Sequence, residues 1–229
     1  MPGPVANYDA QLAEAVAALS RVDPIIARLA NSHGVPVLDR TSLVELTSDV
    51  DEPLQVSVED RLFSELVEVV IHQQLAGKAA LAISGRVKAA LGYDVTPERV
   101  LSSDPELLRG SGLSGAKLSA IIGLAAEICN GDLALGELAQ LSDGEITERL
   151  SKLRGFGPWS AQMFLIFSLK RMDVWPSGDL GVRKGYSRSY GLDTVPTATE
   201  LLELGDRFRP YRSLVAWYMW RSLSDGPTE

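Results

Sequence analysis

Signals that start and stop helices recur along this chain, and they leave almost no stretch that could build a sheet. Asp23-Pro24 and Asp104-Pro105 each pair a capping carboxylate with a proline at the first helical position. Ser142-Asp-Gly-Glu145 has the form of a capping box, in which each side chain satisfies a backbone amide at the other's position. Pro158 and Pro210 open further helices as their first residues, and Thr197 or Thr199 opens a short one. Gly34, the stretch 110–115 and Asn130-Gly131 supply stops. Between these marks apolar residues fall at helical spacing. Leu12, Val16 and Leu19 follow Asp9, and Leu62, Leu66, Val69 and Val70 stripe a long pattern over 58–91 with a break near Gly77. Residues 116–129 are helical and apolar, whereas 35–58, with Pro36, Pro53 and scattered acids, reads as irregular. No segment of useful length alternates with a strand's period, so the fold class is all-α.

The helix opened at Ser142 and the one opened at Pro158, which is expected to reach about Arg171, are joined through Leu153-Arg-Gly-Phe-Gly-Pro-Trp-Ser-Ala161. Gly155 and Gly157 permit positive φ and close approach to the backbone, and the first amides of a helix favour an anion. An ordinary helix–helix turn that stops on glycine has the same Gly-x-Gly, so the pair by itself leaves both readings open. Asp179, in Trp175-Pro-Ser-Gly-Asp-Leu-Gly-Val-Arg183, directly precedes a helix start at Leu180 and alone reads as a cap. In His72-Gln-Gln-Leu-Ala-Gly-Lys78 the glutamines alone read as surface residues, and most aromatics of a helical protein are core.

Composition narrows the chemistry. The single cysteine, Cys129, rules out an internal disulfide framework, a four-cysteine iron–sulfur cluster and a thiolate-rich zinc site. Only His33 and His72 are available for an imidazole site. The net charge of −8 argues superficially against nucleic acid, but it sits almost wholly in residues 1–70, which hold 12 acids and 4 bases. Residues 149–190 hold 8 Lys/Arg against 2 Asp. Counterion release depends on that local face and not on the total. No secretory signal or run of apolar residues long enough for a membrane span is read, and the expectation is a reduced, intracellular setting.

In combination these strings resemble a known family. Leu153 to Ala161 is similar to the helix-hairpin-helix signature. A hairpin, a helix and then an aspartate about twenty residues on is the arrangement of the helix-hairpin-helix-Gly/Pro-Asp superfamily of DNA glycosylases. Arg171-Met-Asp-Val-Trp-Pro-Ser-Gly-Asp-Leu-Gly-Val-Arg-Lys-Gly185 resembles its 3-methyladenine DNA glycosylase II branch, which excises alkylated purines. One departure is visible: Gly178-Asp179 stands where that branch commonly carries an acidic pair. The retained acid matches the catalytic one. The resemblance spans roughly residues 60–222 and says little about 1–55.

The resemblance implies a bundle of two helical lobes with the active-site cleft between them. It implies a core of 56–229, with the hairpin at about 145–171 and a catalytic loop at 172–185, on which 1–55 packs. Backbone amides of 155–160, including Gly155, Phe156, Gly157, Trp159 and Ser160, would grip DNA phosphate. Gln73, Gln74 and Leu75 would contact DNA, with Gln74 as the wedge that fills the space of a flipped nucleotide. Asp179 would be catalytic. Trp159 and Trp220, with Met163 and Trp217 as further candidates, would line a pocket whose ring faces attract a cationic base. Trp159 also occupies the place of the lysine that lyase-active relatives use, which implies a monofunctional enzyme that employs water. Main-chain carbonyls of Ser151, Leu153 and Phe156 would hold a structural Na+ or K+, with no other cofactor. The implied partner is double-stranded DNA with alkylated bases, met by a monomer without a membrane, in the cytoplasm of a bacterium or the nucleus of a eukaryote. A non-catalytic DNA-shape binder and a glycosylase for deaminated or oxidised bases remain the competing readings.

Overall fold

The computed structural model describes residues 4–38, 57–75 and 77–224, and every regular element among them is helical. In chain order these are α1 (Pro4–Val22), α2 (Pro24–His33), α3 (Val58–His72), α4 (Gly77–Ala90) and α5 (Pro97–Ser102). Then come α6 (Pro105–Gly110), α7 (Gly115–Cys129), α8 (Leu135–Leu138), α9 (Asp143–Ser151) and α10 (Pro158–Phe167). The last three are α11 (Leu180–Tyr190), α12 (Ala198–Leu204) and α13 (Arg212–Ser224), with a 3-10 turn at Asp206–Phe208. No described helix is long and apolar enough to cross a membrane.

The caps behave as their side chains require. Asp23 Oδ1 accepts the amides of Ile25 and Ile26 at the start of α2, and the capping boxes at Ser142 and Thr197 both form. Two expectations shift. The helix after the hairpin stops at Phe167, short of Arg171, because Lys170 takes a left-handed φ of 57° and Leu169 donates back to the Phe164 carbonyl. Pro210 does not open the last helix. It sits in a turn closed by the Tyr211 amide on the Phe208 carbonyl, and α13 begins at Arg212. The irregular stretch 35–58 falls mostly outside the described residues.

The domain boundary also moves. The chain divides into Met1–Leu46 with Lys170–Glu229, and Thr47–Leu169. The N-terminal helices therefore belong with the C-terminal third and are no appendage to a core of 56–229. In this discontinuous unit α13 packs against both α2 and α11. Gly185 makes the second contact possible, since a Cβ there would lie 2.1 Å from the Met219 carbonyl oxygen. Long-range polar bonds close the unit: Tyr218 donates to the Gly34 carbonyl at 2.9 Å, and Arg28 to that of Ser189 at 3.1 Å. Buried Asp23 accepts from Tyr190 and pairs with Arg207, both at 3.0 Å. In the continuous unit α3 is the central helix. It buries Leu62, Phe63, Leu66, Val67, Val69 and Val70 against α4, α7, α8 and α10.

Candidate functional site

The hairpin lies between α9 and α10 of the continuous unit. Its turn is closed by the Phe156 amide donating to the Leu153 carbonyl at 3.1 Å, and the buried Phe156 side chain anchors it. The two glycines serve different ends. Gly155 has a φ of +84°, and a Cβ on it would lie 2.5 Å from that of Ala120 on α7. Gly157 is extended, with φ −127° and ψ −178°, and makes no use of the positive φ that glycine permits. Its missing side chain instead leaves open space at the start of α10, a helix with no side-chain cap. That combination leaves an approach for an anion along the helix axis.

The amides expected to grip phosphate are fewer than 155–160. Phe156 spends its N–H inside the turn and Pro158 has none. Ser160 is 2% exposed, and its hydroxyl accepts from Gln73 Nε2 at 2.9 Å, so its side chain faces inward. Trp159 is half-buried at the second position of α10, while Met163 is buried among the core residues of its unit.

The structure brings the loop after α3 to the hairpin. Gln73 Nε2 donates to the Gly155 carbonyl as well, at 2.9 Å, whereas Gln74 and Leu75 are exposed. Gln74 adopts a φ of 55°, a left-handed backbone unusual for a residue with a side chain.

Asp179 belongs to the other unit, where it caps α11. Its Oδ1 accepts the Val182 amide at 2.8 Å and the Trp220 indole N–H at 2.9 Å. A Cβ on Gly181 would lie 2.9 Å from Trp220 Cδ1 and 3.0 Å from Asp179 Oδ1, so that glycine is what lets the indole reach the carboxylate. Upstream, the loop is fastened to the start of α13. Arg212 donates from Nε to Asp173 Oδ1 at 2.7 Å and from Nη2 to the Asp173 carbonyl at 2.8 Å. Ser213 Oγ donates to the Arg171 carbonyl and accepts the Val174 amide. Downstream, the Asp179 amide closes a turn on the Pro176 carbonyl at 2.9 Å. A carboxylate so held keeps one orientation without needing a ligand to order it.

Two further tryptophans, Trp175 and the pocket candidate Trp217, are buried. Trp175 is buried, donates to the Leu201 carbonyl at 2.7 Å and rests on Gly205. Trp217 is 4% exposed, and the Arg221 guanidinium already covers its ring at 5.5 Å. Gly181 and the Gln73–Ser160 link were not anticipated. The spacing Asp-x-Gly ahead of a tryptophan-rich helix was the available hint for the former.

The family described as HhH-GPD superfamily base excision DNA repair protein matches residues 67–210. DNA-3-methyladenine glycosylase 1 of Schizosaccharomyces pombe is 37% identical over 163 residues, 70% of this chain and 72% of that protein. The DNA-3-methyladenine glycosylase of Saccharomyces cerevisiae is 29% identical over 199 residues, covering 71% and 67%. Among solved structures, the S. pombe 3-methyladenine DNA glycosylase in complex with abasic DNA superposes with a TM-score of 0.74 at 32% identity, covering 91% of this chain and 95% of that one. The 3-methyladenine DNA-glycosylase of Archaeoglobus fulgidus shares the fold, with a TM-score of 0.72 at 22% identity.

Proposed function

Because this chain belongs to the HhH-GPD superfamily of base-excision DNA repair proteins, we propose that it is a DNA glycosylase that removes alkylated purines, of the 3-methyladenine and 7-methylguanine kind, and leaves an abasic site. The observation that carries this is the single carboxylate of Asp179, fixed by a helix amide and by an indole N–H. The cap of α11 needs only the bond from the Val182 amide; the second, from the Trp220 indole, fixes the carboxylate in one orientation. The relatives named as DNA-3-methyladenine glycosylases, one of them bound to abasic DNA, support the substrate class.

The chemistry follows from the charge on the damaged base. An alkylated purine is cationic, so when the N-glycosidic bond breaks its electron pair neutralises the departing base. Positive charge develops on the sugar, and the Asp179 carboxylate stabilises it electrostatically. Water then adds to the anomeric carbon and gives up its proton, with Asp179 as the base that orients it. Trp159 offers an aromatic face to the cationic purine, an attraction of about 0.5–2 kcal/mol that the neutral parent base lacks. It also stands where a lyase would need an amine, so the enzyme forms no covalent intermediate at that position. The open start of α10 holds backbone phosphate, and Gln74 fills the vacated stack. The carbonyls of Ser151, Leu153 and Phe156 sit at the turn out of α9. Leu153 gives one lone pair to the Phe156 amide and keeps a second. Three neutral oxygens suit an alkali ion that would brace the turn.

Asp179→Asn tests the reading cleanly, since asparagine caps a helix as well as aspartate does. Release of 7-methylguanine from alkylated duplex is expected to disappear while duplex binding and the melting temperature stay near wild type. Wild-type release by this variant would remove Asp179 from its role. A panel with hypoxanthine and 8-oxoguanine duplexes alongside separates alkylpurine removal from the deaminated- and oxidised-base alternatives.

A further inference from the structure

Gln73, beside the wedge, and Gly155 of the hairpin lie 82 residues apart in the chain, yet one side chain ties the two segments together. Gln73 leaves the end of α3 in an extended conformation and turns its amide onto the hairpin. A carboxamide has two N–H donors. Here Nε2 reaches the Gly155 carbonyl and the Ser160 hydroxyl, both at 2.9 Å. Lys117 of α7 fastens the same loop from the other side. Its ammonium donates to the Ile71 carbonyl at 2.7 Å and to the Gln73 carbonyl at 2.9 Å, placing a cation at the negative end of α3. Immediately beyond these two anchors Gln74 adopts its left-handed φ. A residue with a side chain holds that conformation at a cost of about 1–2 kcal/mol, and only where its surroundings determine it.

We propose that Gln73 is a positioning residue that latches the wedge loop to the hairpin, so that phosphate grip and filling of the vacated stack are presented to DNA as one preformed surface. The proposal rests on the reading that the chain acts on duplex DNA. Filling the gap left by a base and holding the neighbouring phosphates must occur on the same duplex at the same time. Two independently moving elements would each lose conformational freedom on binding. A latched pair has already lost it in the folded protein.

The latch predicts a dependence on how hard the base is to displace. Unstacking is easiest where the lesion lacks a partner. Gln73→Met keeps the volume and removes both hydrogen bonds. Single-turnover release from a fully paired lesion duplex is expected to slow about tenfold, the scale of one or two lost hydrogen bonds. Release from a duplex in which the lesion faces an abasic gap is expected to slow several-fold less than release from the paired one. Equal slowing on both substrates, or no slowing on the paired one, overturns the latch. Ser160→Ala removes one of the two acceptors without touching Gln73. It is expected to show the same ordering with a smaller effect, and it decides the matter if the methionine variant does not fold. The fluorescence of 2-aminopurine beside the lesion reports base displacement without bond cleavage. Wild-type displacement without release would therefore retire the glycosylase reading and leave the latch to be judged on fluorescence alone, by the same ratio between paired and gapped duplexes.

Discussion

At the scale of single residues, the Asp179–Trp220 hydrogen bond carries the most specific expectation. Trp220→Phe keeps an aromatic ring but removes the indole N–H that donates to Asp179, together with part of the ring system. A hydrogen bond to a charged group contributes about 1.5–3 kcal/mol, so the single-turnover rate is expected to fall roughly tenfold to hundredfold. Duplex affinity should be unchanged, and equal losses in rate and affinity would mark Trp220 as a packing residue. The place of Asp179 as the cap of α11 was legible in the sequence, from its position directly before Leu180. The bond to Trp220 was not, because a separation of 41 residues says nothing about which way an indole points. The same limit applies to Trp175 and Trp217. A tryptophan looks alike in sequence whichever neighbour its ring meets, and the Leu201 carbonyl beside Trp175 and the Arg221 guanidinium over Trp217 come into view only in the fold.

At the scale of elements, the two hairpin glycines are expected to separate stability from function. Gly155→Ala forces a side chain into a left-handed backbone and against Ala120, so the urea midpoint should drop, the backbone term alone amounting to about 1 kcal/mol. Gly157→Asp should behave in the opposite manner. A carboxylate there caps α10, which has no side-chain cap, and leaves stability equal or a few tenths of a kcal/mol higher. The same carboxylate occupies the approach of a phosphate, so binding measured by gel shift should weaken more than tenfold. Helix starts were the most legible part of this fold, since a cap is a local event between residues two or three apart, as at Asp23, Ser142 and Asp179. The start of α13 was less so. Proline satisfies the first position of a helix and the interior of a turn equally well, and the choice at Pro210 was made by the Phe208 carbonyl. The short helices α5 and α8 escaped notice for a related reason. Six and four residues are too few to show a period, although Thr96-Pro97 is a capping pair of the same kind as Asp104-Pro105.

At the scale of the molecule, the two units are expected to fail at opposite ends of the pH range. Burial, followed by the nearby Asp23 carboxylate, raises the Tyr190 hydroxyl well above the ordinary tyrosine value, and burial alone raises Tyr218. Burial and then Asp9 push Tyr8 up to about 12. All three lie in the discontinuous unit. A raised folded pKa means that stability is complete below about pH 10 and is lost as pH climbs through the folded value. Glu68 of the continuous unit runs the other way. Burial pushes its carboxyl up, but the charge and hydrogen bond of Lys88, the Ser84 hydroxyl and His72 together outweigh this and leave it lowered. Its contribution is present above the ordinary glutamate value and disappears as pH falls through the lowered one. Hydrogen exchange should accordingly show α11 and α13 opening first in alkali and α3 with α4 opening first in acid; a single uniform transition at both extremes would contradict this assignment. The division into these units was not legible, because the irregular stretch 35–58 does not tell which later segment the first helices join, no composition change marks residue 169, and the pairing of α2 with α13 joins segments some 180 residues apart. That pairing has a consequence for biosynthesis. A chain made from its N-terminus has every residue of the hairpin and the wedge before α13 exists, and domains generally fold as they emerge. The carboxylate is locked by Trp220 only when the last helix arrives, so under the proposed function a nascent protein would acquire its hold on DNA before its power to cut a base away.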